Sequence, residues 1–478
     1  MKYHTHVNNI CTNDHNRQVG LISSSYTVMS AQINGLPVPP VPQKPVTIAI
    51  VGAGARGQGY ATFATAFPEW LKVVAVADPH DYKRNLLVKE HGIPTENTFS
   101  NWTEMVKLPR LSDAVAICTQ DHLHTAPAIA FANLKYNILL EKPMAVSLQE
   151  CQDIVEAVKR NGIIFAVGHV LRYTPYTTSI MQVLNSEQIG DIVNIQHLEP
   201  VGFWHFAHSF VRGNWGNESR ATFSLMAKSC HDIDLIPFMM RAGKCKKISS
   251  FGSLKHFRKE NKPKEAGNAK KCLDCIFEPS CPYSAKKIYV DPYVNDGHTG
   301  WPTSIVHPNE DEMDIESLTE SLQNSNYGSC VYEVDNDVCD QQVVSMEFEN
   351  GSTASFSMIA FTEALCERKT RIFGTRGEIV GDGVDEIIVF DFLTRKRTII
   401  KPSAEEQLGK SRWSSGHGGG DYGLMRGFVQ ACATGNPNYI LSGPEETLDS
   451  HIYVFAAEEA RKTNTVVDIE QFKKTHLN

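Results

Sequence analysis

Residues 46–67 read VTIAIVGAGARGQGYATFATAF, and this stretch decides the architecture. Val46 to Val51 is a short apolar run rich in β-branched residues and closed by glycine, the pattern of a strand buried on both faces. Gly52, Gly54 and Gly57 then give GxGxxG, and from Ala55 onward the spacing turns helical. Next, LKVVAVADP (71–79) reads as a second strand ending at Asp78. Strand before, helix after and an acidic residue at the end of the next strand are the three contexts that make GxGxxG a dinucleotide fingerprint. Gly52 allows the tight turn, Gly54 lets the backbone approach a pyrophosphate, and Gly57 permits close packing of helix on strand. Free N–H groups and the partial positive charge of the helix start suit phosphate. Asp78 is expected to accept hydrogen bonds from ribose hydroxyls and to repel a 2′-phosphate, which favours NAD. Arg84 keeps NADP open.

Outward from this unit the alternation continues. DAVAICT (113–119) is a third buried strand, a turn and helix follow, and NILLEKP (137–143) is a fourth strand. Alternating strands and helices give an α/β, doubly wound parallel sheet whose ligands bind at the carboxyl ends of the strands. Thr119, His122, His124, Glu141 and Lys142 fall at those ends; Thr119, His124 and Glu141 join Gly52, Gly54, Arg56, Gly57 and Asp78 as expected cofactor contacts.

The chain has 478 residues, a net charge of −8 and 42% hydrophobic residues, the profile of a globular protein with two or three domains. A mildly acidic chain with no dense basic stripe has no electrostatic footprint for nucleic acid. No apolar run approaches the roughly 18–20 residues that span a bilayer. Twelve cysteines are too sparse for a small disulfide scaffold, so a reducing, cytoplasmic compartment is expected. Residues 1–44 are polar, then proline-rich (GLPVPPVPQKP, 35–45), and are expected to be a disordered tail and linker. Met29 is an alternative start to Met1.

At Glu141-Lys142-Pro143 the chain resembles the Gfo/Idh/MocA oxidoreductase family. The resemblance runs from about Val46 to Ile469 and rests on marks that occur in order: GAGARG, VADP, TQDHLH, EKP, VGHVLRYTP (167–175), AKSCHDID (227–234) and GHGGGD (416–421). It implies a Rossmann domain, here 45–166, followed by an α+β C-terminal domain, here 167–470, built on a large, mostly antiparallel open sheet that family members use to form homo-oligomers. It also implies that Lys142 hydrogen-bonds the reacting hydroxyl beside the nicotinamide, together with a histidine that matches His231. The chain departs from the family pattern at Ala227, where many members carry an aspartate four residues before that histidine. Either Lys228 or an acid elsewhere is expected to replace it.

HLEPVGFWHFAHSFVRGNWGNE (197–218) crowds aromatic faces and hydrogen-bond donors together. Such a set suits a sugar, whose apolar faces stack while its hydroxyls need partners. Trp204, His205, His208, Arg212 and Trp215 are therefore expected to contact substrate, with Arg212 placed to clamp a carboxylate. His169, Arg172, Lys228, His417 and Asp421 complete the expected substrate set. The function expected is hydride transfer between NAD(P) and a hydroxyl of a sugar, inositol or sugar acid. The alternatives are a glycosidase or lyase with recycled NAD, and a dinucleotide-binding regulator without turnover; the loss of aspartate at 227 is what keeps the last open.

Residues 255–290 read as a lysine-rich insertion with little core of its own. It holds Cys272-x-x-Cys275 and then Cys281, which with His256 as fourth ligand would make a structural zinc clip. Asn350-Gly351 between alternating runs marks a hairpin, and PEETLDSHIYVFAAEEARKT (444–463) marks a long helix begun by proline.

Overall fold

The structure, a computed structural model, describes residues 39–477 apart from residue 242 and residues 403–416. Most of the tail expected over 1–44, Met29, and Gly416 of the GHGGGD loop lie outside the described residues.

Six strands form the first sheet: β1 (Val46–Val51), β2 (Leu71–Ala77), β3 (Thr98–Phe99), β4 (Ala114–Ile117), β5 (Asn137–Leu140) and β6 (Phe165–Val167). All pair in parallel, in the order β3-β2-β1-β4-β5-β6, the doubly wound dinucleotide-binding order. The central strands carry Ile48, Ile50, Val115, Ile117, Leu139 and Leu140 at no more than 1% exposure, so apolar residues run continuously rather than alternating. Helices cover both faces. At the first turn Gly52 holds φ +96°, and a Cβ there would sit 2.5 Å from the Cys118 carbonyl. At Gly57 a Cβ would sit 2.0 Å from the Gly52 carbonyl. Only glycine lets the helix Ala55–Ala66 start this close to β1.

Nine strands form the second sheet: β7 (Ile192–Pro200), β8 (Cys245–Ser253), β9 (Gln341–Phe348), β10 (Thr353–Ile359), β11 (Lys369–Gly374), β12 (Gly377–Gly381), β13 (Ile387–Asp391), β14 (Arg397–Ile400) and β15 (Val467–Asp468). Their order is β14-β13-β12-β11-β7-β10-β9-β8-β15. Only β7 and β10 pair in parallel; the other neighbours are antiparallel. Gly351, at φ +86°, turns the β9–β10 hairpin, with the Asn350 side chain accepting from the Ser352 N–H. Alternate residues face a core shared with the helices Cys230–Met240 and Pro444–Thr463. The opposite face leaves Val193, Phe251 and Val343 exposed.

One expectation is corrected here. The segment joining β8 to β9 is not an extended insertion with little core. It folds into a helical lobe packed around Tyr289, Leu318, Leu322 and Ala285, all fully buried. Its helix Ile315–Asn324 starts on a reciprocal capping box between Asp314 and Ser317. The 3.6-residue spacing of Leu318 and Leu322 lies beyond 290, so a boundary drawn at the cysteines cut the lobe from the residues that form its core.

Candidate active site

A cleft of about 1550 Å³ separates the two sheets. One wall is the carboxyl edge of the parallel sheet, with Thr119 after β4 and Glu141 and Lys142 after β5. The other is the start of the helix Cys230–Met240, the aromatic segment after β7, and the tip of the helical lobe.

Lys142 and His231 come from opposite walls and meet at the cleft. The Lys142 ammonium donates to the Ala227 carbonyl at 2.8 Å and lies 5.6 Å from the Trp215 ring centroid. The main chain at 227 thus holds the lysine where an aspartate side chain was expected. Burial, and then the nearby Lys142 charge, push His231 well below the usual histidine range. Its ring is neutral at neutral pH, and Nδ1 has no hydrogen-bond partner. Behind it stands His169, buried and without a hydrogen bond, its Nδ1 3.8 Å from Asp234 and its ring 5.6 Å from those of both His231 and His451.

An ion cluster ties the glycine-loop helix to the second domain. Arg56 meets Glu141 at 2.7 Å and Asp421 at 2.5 Å. Glu141 also accepts from the Tyr60 hydroxyl at 2.5 Å, and Asp421 stands 3.1 Å from His417. Although burial opposes it, the Arg56 guanidinium holds both carboxyls below their usual range. Arg56, Glu141 and Asp421 border the cleft, yet their charges are spent on one another. Arg56 fixes the loop bearing His417.

The far wall carries a second cluster, and its members were largely missed in the sequence. Arg368 Nε lies 2.8 Å from Asp232 and 3.0 Å from Glu199. Lys228 lies 3.3 Å from Glu199 and 2.9 Å from the Cys366 sulfur. His197 bridges Asp232, at 3.0 Å, and Thr370, at 2.8 Å. Burial disfavours the Lys228 ammonium, but Cys366 and Glu199 outweigh it and raise its pKa. Trp301 and Tyr327 from the helical lobe close this side, in ring contact with His208. Burial pushes His208 down to about 3. No local motif marks Glu199, Arg368 or Cys366; the only hint is a charged pair, Arg368-Lys369, at the mouth of an otherwise alternating strand.

Of the expected substrate contacts, His205, His208, Trp215, Lys228, His417 and Asp421 border the cleft. Four do not. Arg172 is buried and grips Asp234 with bonds of 2.6 and 2.7 Å; Asp234 thereby faces the structural side of its helix. His169 lies one layer behind His231. Trp204 packs against the cleft-lining Trp301, ring centroids 5.2 Å apart, and does not itself border the cleft. Arg212 spends its guanidinium on the Ser329 and Tyr283 carbonyls and the Cys272 sulfur, because the lobe folds back over it. Among the cofactor contacts, His124 is fully buried, with both ring nitrogens engaged by the Pro143 and Thr119 carbonyls. It braces the strand ends and does not reach the cleft. His256 is also corrected: it pairs with the Tyr332 hydroxyl at 3.0 Å among aromatic rings and does not border the cavity shared by Cys272, Cys275 and Cys281.

The residues present fit a dinucleotide. A Cβ on Gly54 would meet nothing within 4 Å, so the space before that backbone is open. The helix that follows has no acidic residue in its first turn and no side-chain cap, leaving its N–H groups for an anion. Asp78 accepts from the Ala53 N–H at 2.7 Å and the His80 N–H at 2.7 Å, which fixes the carboxylate at the end of β2. No helix among the described residues is long and apolar enough to cross a membrane.

Comparison with known proteins agrees with this geometry. Residues 46–169 match the oxidoreductase family with an NAD-binding Rossmann fold named GFO_IDH_MocA. A putative oxidoreductase, YteT of Bacillus subtilis, is 22% identical over 332 residues, covering 66% of this chain and 72% of YteT. The 2,7-anhydro-N-acetylneuraminate hydratase of Mediterraneibacter gnavus is 28% identical over 209 residues, 41% of this chain and 50% of the hydratase. A levoglucosan dehydrogenase solved with NADH and levoglucosan superposes with a TM-score of 0.65 at 18% identity, covering 89% of this chain and 100% of that one. With the doubly wound sheet, the glycine loop and the large open sheet all in place, residues 46–169 match the NAD-binding Rossmann domain of the Gfo/Idh/MocA oxidoreductase family, and the chain as a whole shares the fold of that solved structure.

Proposed function

We propose that this protein is an NAD(P)-dependent dehydrogenase that moves a hydride between the nicotinamide and a hydroxyl-bearing carbon of a sugar, inositol or sugar acid. The observation that carries it is the meeting of Lys142 and a neutral His231 across one cleft. The dinucleotide, when bound, accepts or returns the hydride. The chain supplies the rest. Lys142 holds the substrate oxygen by hydrogen bond, exchanging its contact with Ala227 for one with the hydroxyl. His231, kept uncharged by burial and by the lysine, takes the hydroxyl proton as the carbon loses hydride. Trp215 offers an apolar face beside the lysine, and Lys228 and His205 offer polar contacts to further hydroxyls. Asp78 favours NAD over NADP, since Arg84, the nearest cation, is committed to Asp81 and the Asp78 carbonyl. The levoglucosan dehydrogenase relative supports a carbohydrate substrate.

A second reading, a net non-redox reaction with recycled NAD, is favoured by the His417 loop held in the cleft and by the hydratase relatives. A screen of polyols, sugar acids and glycosides with both cofactors separates the two. Net NADH formation supports the dehydrogenase. Substrate cleavage or hydration without net NADH overturns it in favour of the second.

The outer face of the large sheet, with Phe251 and Val343 exposed as cross-strand neighbours, is where we place contact with a second copy of the chain. The eleven cysteines among the described residues are all unpaired, which supports a reducing, cytoplasmic setting.

A further inference from the structure

The helical lobe contains a second small cavity, of about 20 Å³, remote from the hydride-transfer chemistry. Cys272, Cys275, Cys281 and Cys330 all border it, and so does Arg212. The four cysteines come from two adjacent pieces of backbone. Lys271 and Ser329 form an antiparallel bridge, flanked by Cys272 N–H bonding to the Gly328 carbonyl and Cys330 N–H to the Lys270 carbonyl, both at 2.8 Å. From Cys272 the chain makes a tight turn, closed by Cys275 N–H on the Cys272 carbonyl at 3.1 Å. A second turn is closed by Cys281 N–H on the Glu278 carbonyl at 3.0 Å. The bridge sets Cys272 opposite Gly328 and Cys330 opposite Lys270, so the two cysteines are diagonal neighbours on one face, and the turns bring Cys275 and Cys281 to the same cavity.

Arg212 is the independent observation. It is 2% exposed, and no carboxylate among the described residues stands within ion-pair distance of it. Its Nη2 donates to the Cys272 sulfur at 3.2 Å and the Tyr283 carbonyl at 2.6 Å, its Nε donates to the Ser329 carbonyl at 2.7 Å, and the Tyr289 hydroxyl stands by the guanidinium, so its partners are polar but none is a carboxylate. A buried cation without a counter-ion is costly. Glu278 borders the cavity but accepts from the Ser284 hydroxyl.

We propose that Cys272, Cys275, Cys281 and Cys330 form a four-thiolate site for a single soft divalent cation of the zinc class, with Arg212 as the buried counter-charge. Four thiols and one divalent ion give a bound ion of net charge −2 and release four protons, and the guanidinium offsets half of that charge. A cavity this small holds one ion, about the size of one water, and not a multi-iron cluster. Among the described residues no three potential ligands are already gathered at metal spacing. Closure therefore requires the cysteine side chains to swing about their single side-chain torsions while the backbone bridge and turns stay. The site pins the lobe that carries Trp301 and Tyr327 to the cleft wall, so the metal would set the shape of the substrate end.

The test uses the full-length chain purified without added chelator. Elemental analysis is expected to find about one zinc per chain, with four of the twelve cysteines slow to alkylate until a chelator is added. Cobalt exchanged into the site should give the intense thiolate charge-transfer absorption of four-sulfur coordination. Cys330→Ser should abolish metal retention, while His256→Gln should leave it intact. Should Cys330→Ser fail to fold, the cobalt spectrum of the wild type still counts the thiolates. Zinc and cobalt both failing to bind, with all four thiols alkylating freely, would overturn the proposal. So would disulfides among these cysteines, iron with acid-labile sulfide, or loss of metal in His256→Gln alone.

Discussion

On the parallel-sheet side of the cleft the decisive contacts are made by backbone. Gly52 and Gly57 are required because a Cβ would collide with main chain, whereas a Cβ on Gly54 would project into open space, where we propose the pyrophosphate lies. On the opposite side the contacts are made by side chains. Glu199, Lys228, Asp232, Arg368 and Cys366 come from three separate segments and neutralise one another inside the wall. The first wall follows from a dozen consecutive residues. The second exists only after the chain has folded, and its charges balance only as a set. A backbone-built wall should tolerate side-chain changes that leave the main chain alone, and a side-chain-built wall should fail when one member is removed.

The strongest test acts where the two walls meet. Lys142→Ala and His231→Ala are each expected to cut turnover by at least about a hundredfold, with NAD affinity retained through the glycine loop. Steady-state kinetics beside calorimetric titration of NAD reads both. The double variant should lose much less than the product of the single losses, since the two groups act on one proton. Near-normal turnover in Lys142→Ala would remove the lysine from the chemistry.

The far wall is next. Arg368→Met leaves Glu199 and Asp232 buried without their shared cation, a change expected to cost about 3–5 kcal/mol. Urea unfolding measures it. A loss under about 1 kcal/mol would mean that water or Lys228 compensates, and the wall would then be less tightly interlocked than its distances suggest.

Acid should loosen the packing behind His231 first. Burial depresses His169 to about 4 and His451 to about 3, both from an unfolded value near 6.5. The unfolded chain therefore binds protons that the folded chain refuses. This stability is complete above about pH 6.5 and is lost progressively as pH falls toward the folded values. Asp232, depressed to about 2, adds its loss only below the ordinary carboxylate range. Unfolding free energies between pH 7 and 4.5 should fall in the wild type and fall less steeply in His169→Asn. Equal slopes would show that His169 is not the group responsible.

The glycine loop gives a smaller, cleaner effect. Gly54→Val places its side chain in open space, so the fold should stand while dinucleotide affinity drops by at least about tenfold, or 1.4 kcal/mol. Retained affinity in a folded variant would sink the assignment of the loop.

What could be read in the sequence divides along the same line. The strand–glycine–helix unit was legible from local spacing, and short motifs of the family resemblance pointed to Lys142 and His231, both of which border the cleft. Arg172, Trp204 and Arg212 were misassigned to substrate because donor-rich and aromatic segments look alike whether they face a cleft or fill a core. Whether Arg212 points outward depends on a lobe whose backbone returns more than a hundred residues later, at Ser329. Cys330 was missed for the same reason: it reaches Cys272 through a backbone bridge, and sequence spacing gives no sign of one.

The smallest effect expected is at Asp78, where backbone and side chain share the work. The carboxylate accepts from the Ala53 and His80 N–H groups, so it shapes the glycine loop in addition to the ribose contact proposed for it. Asp78→Ala removes both roles and should weaken NAD and NADP alike through the loosened loop. Asp78→Asn keeps an oxygen acceptor for Ala53 and removes only the charge. In Asp78→Asn, NADP affinity should rise relative to NAD by less than about tenfold, with NAD affinity nearly unchanged, because screening leaves a half-buried charge worth little against a solvated phosphate. Parallel titrations of both cofactors into the two variants read the difference. If Asp78→Asn shifts neither ratio nor affinity while Asp78→Ala lowers affinity for both cofactors, the residue acts only on the backbone of the loop, and the proposed role of its charge in favouring NAD is overturned.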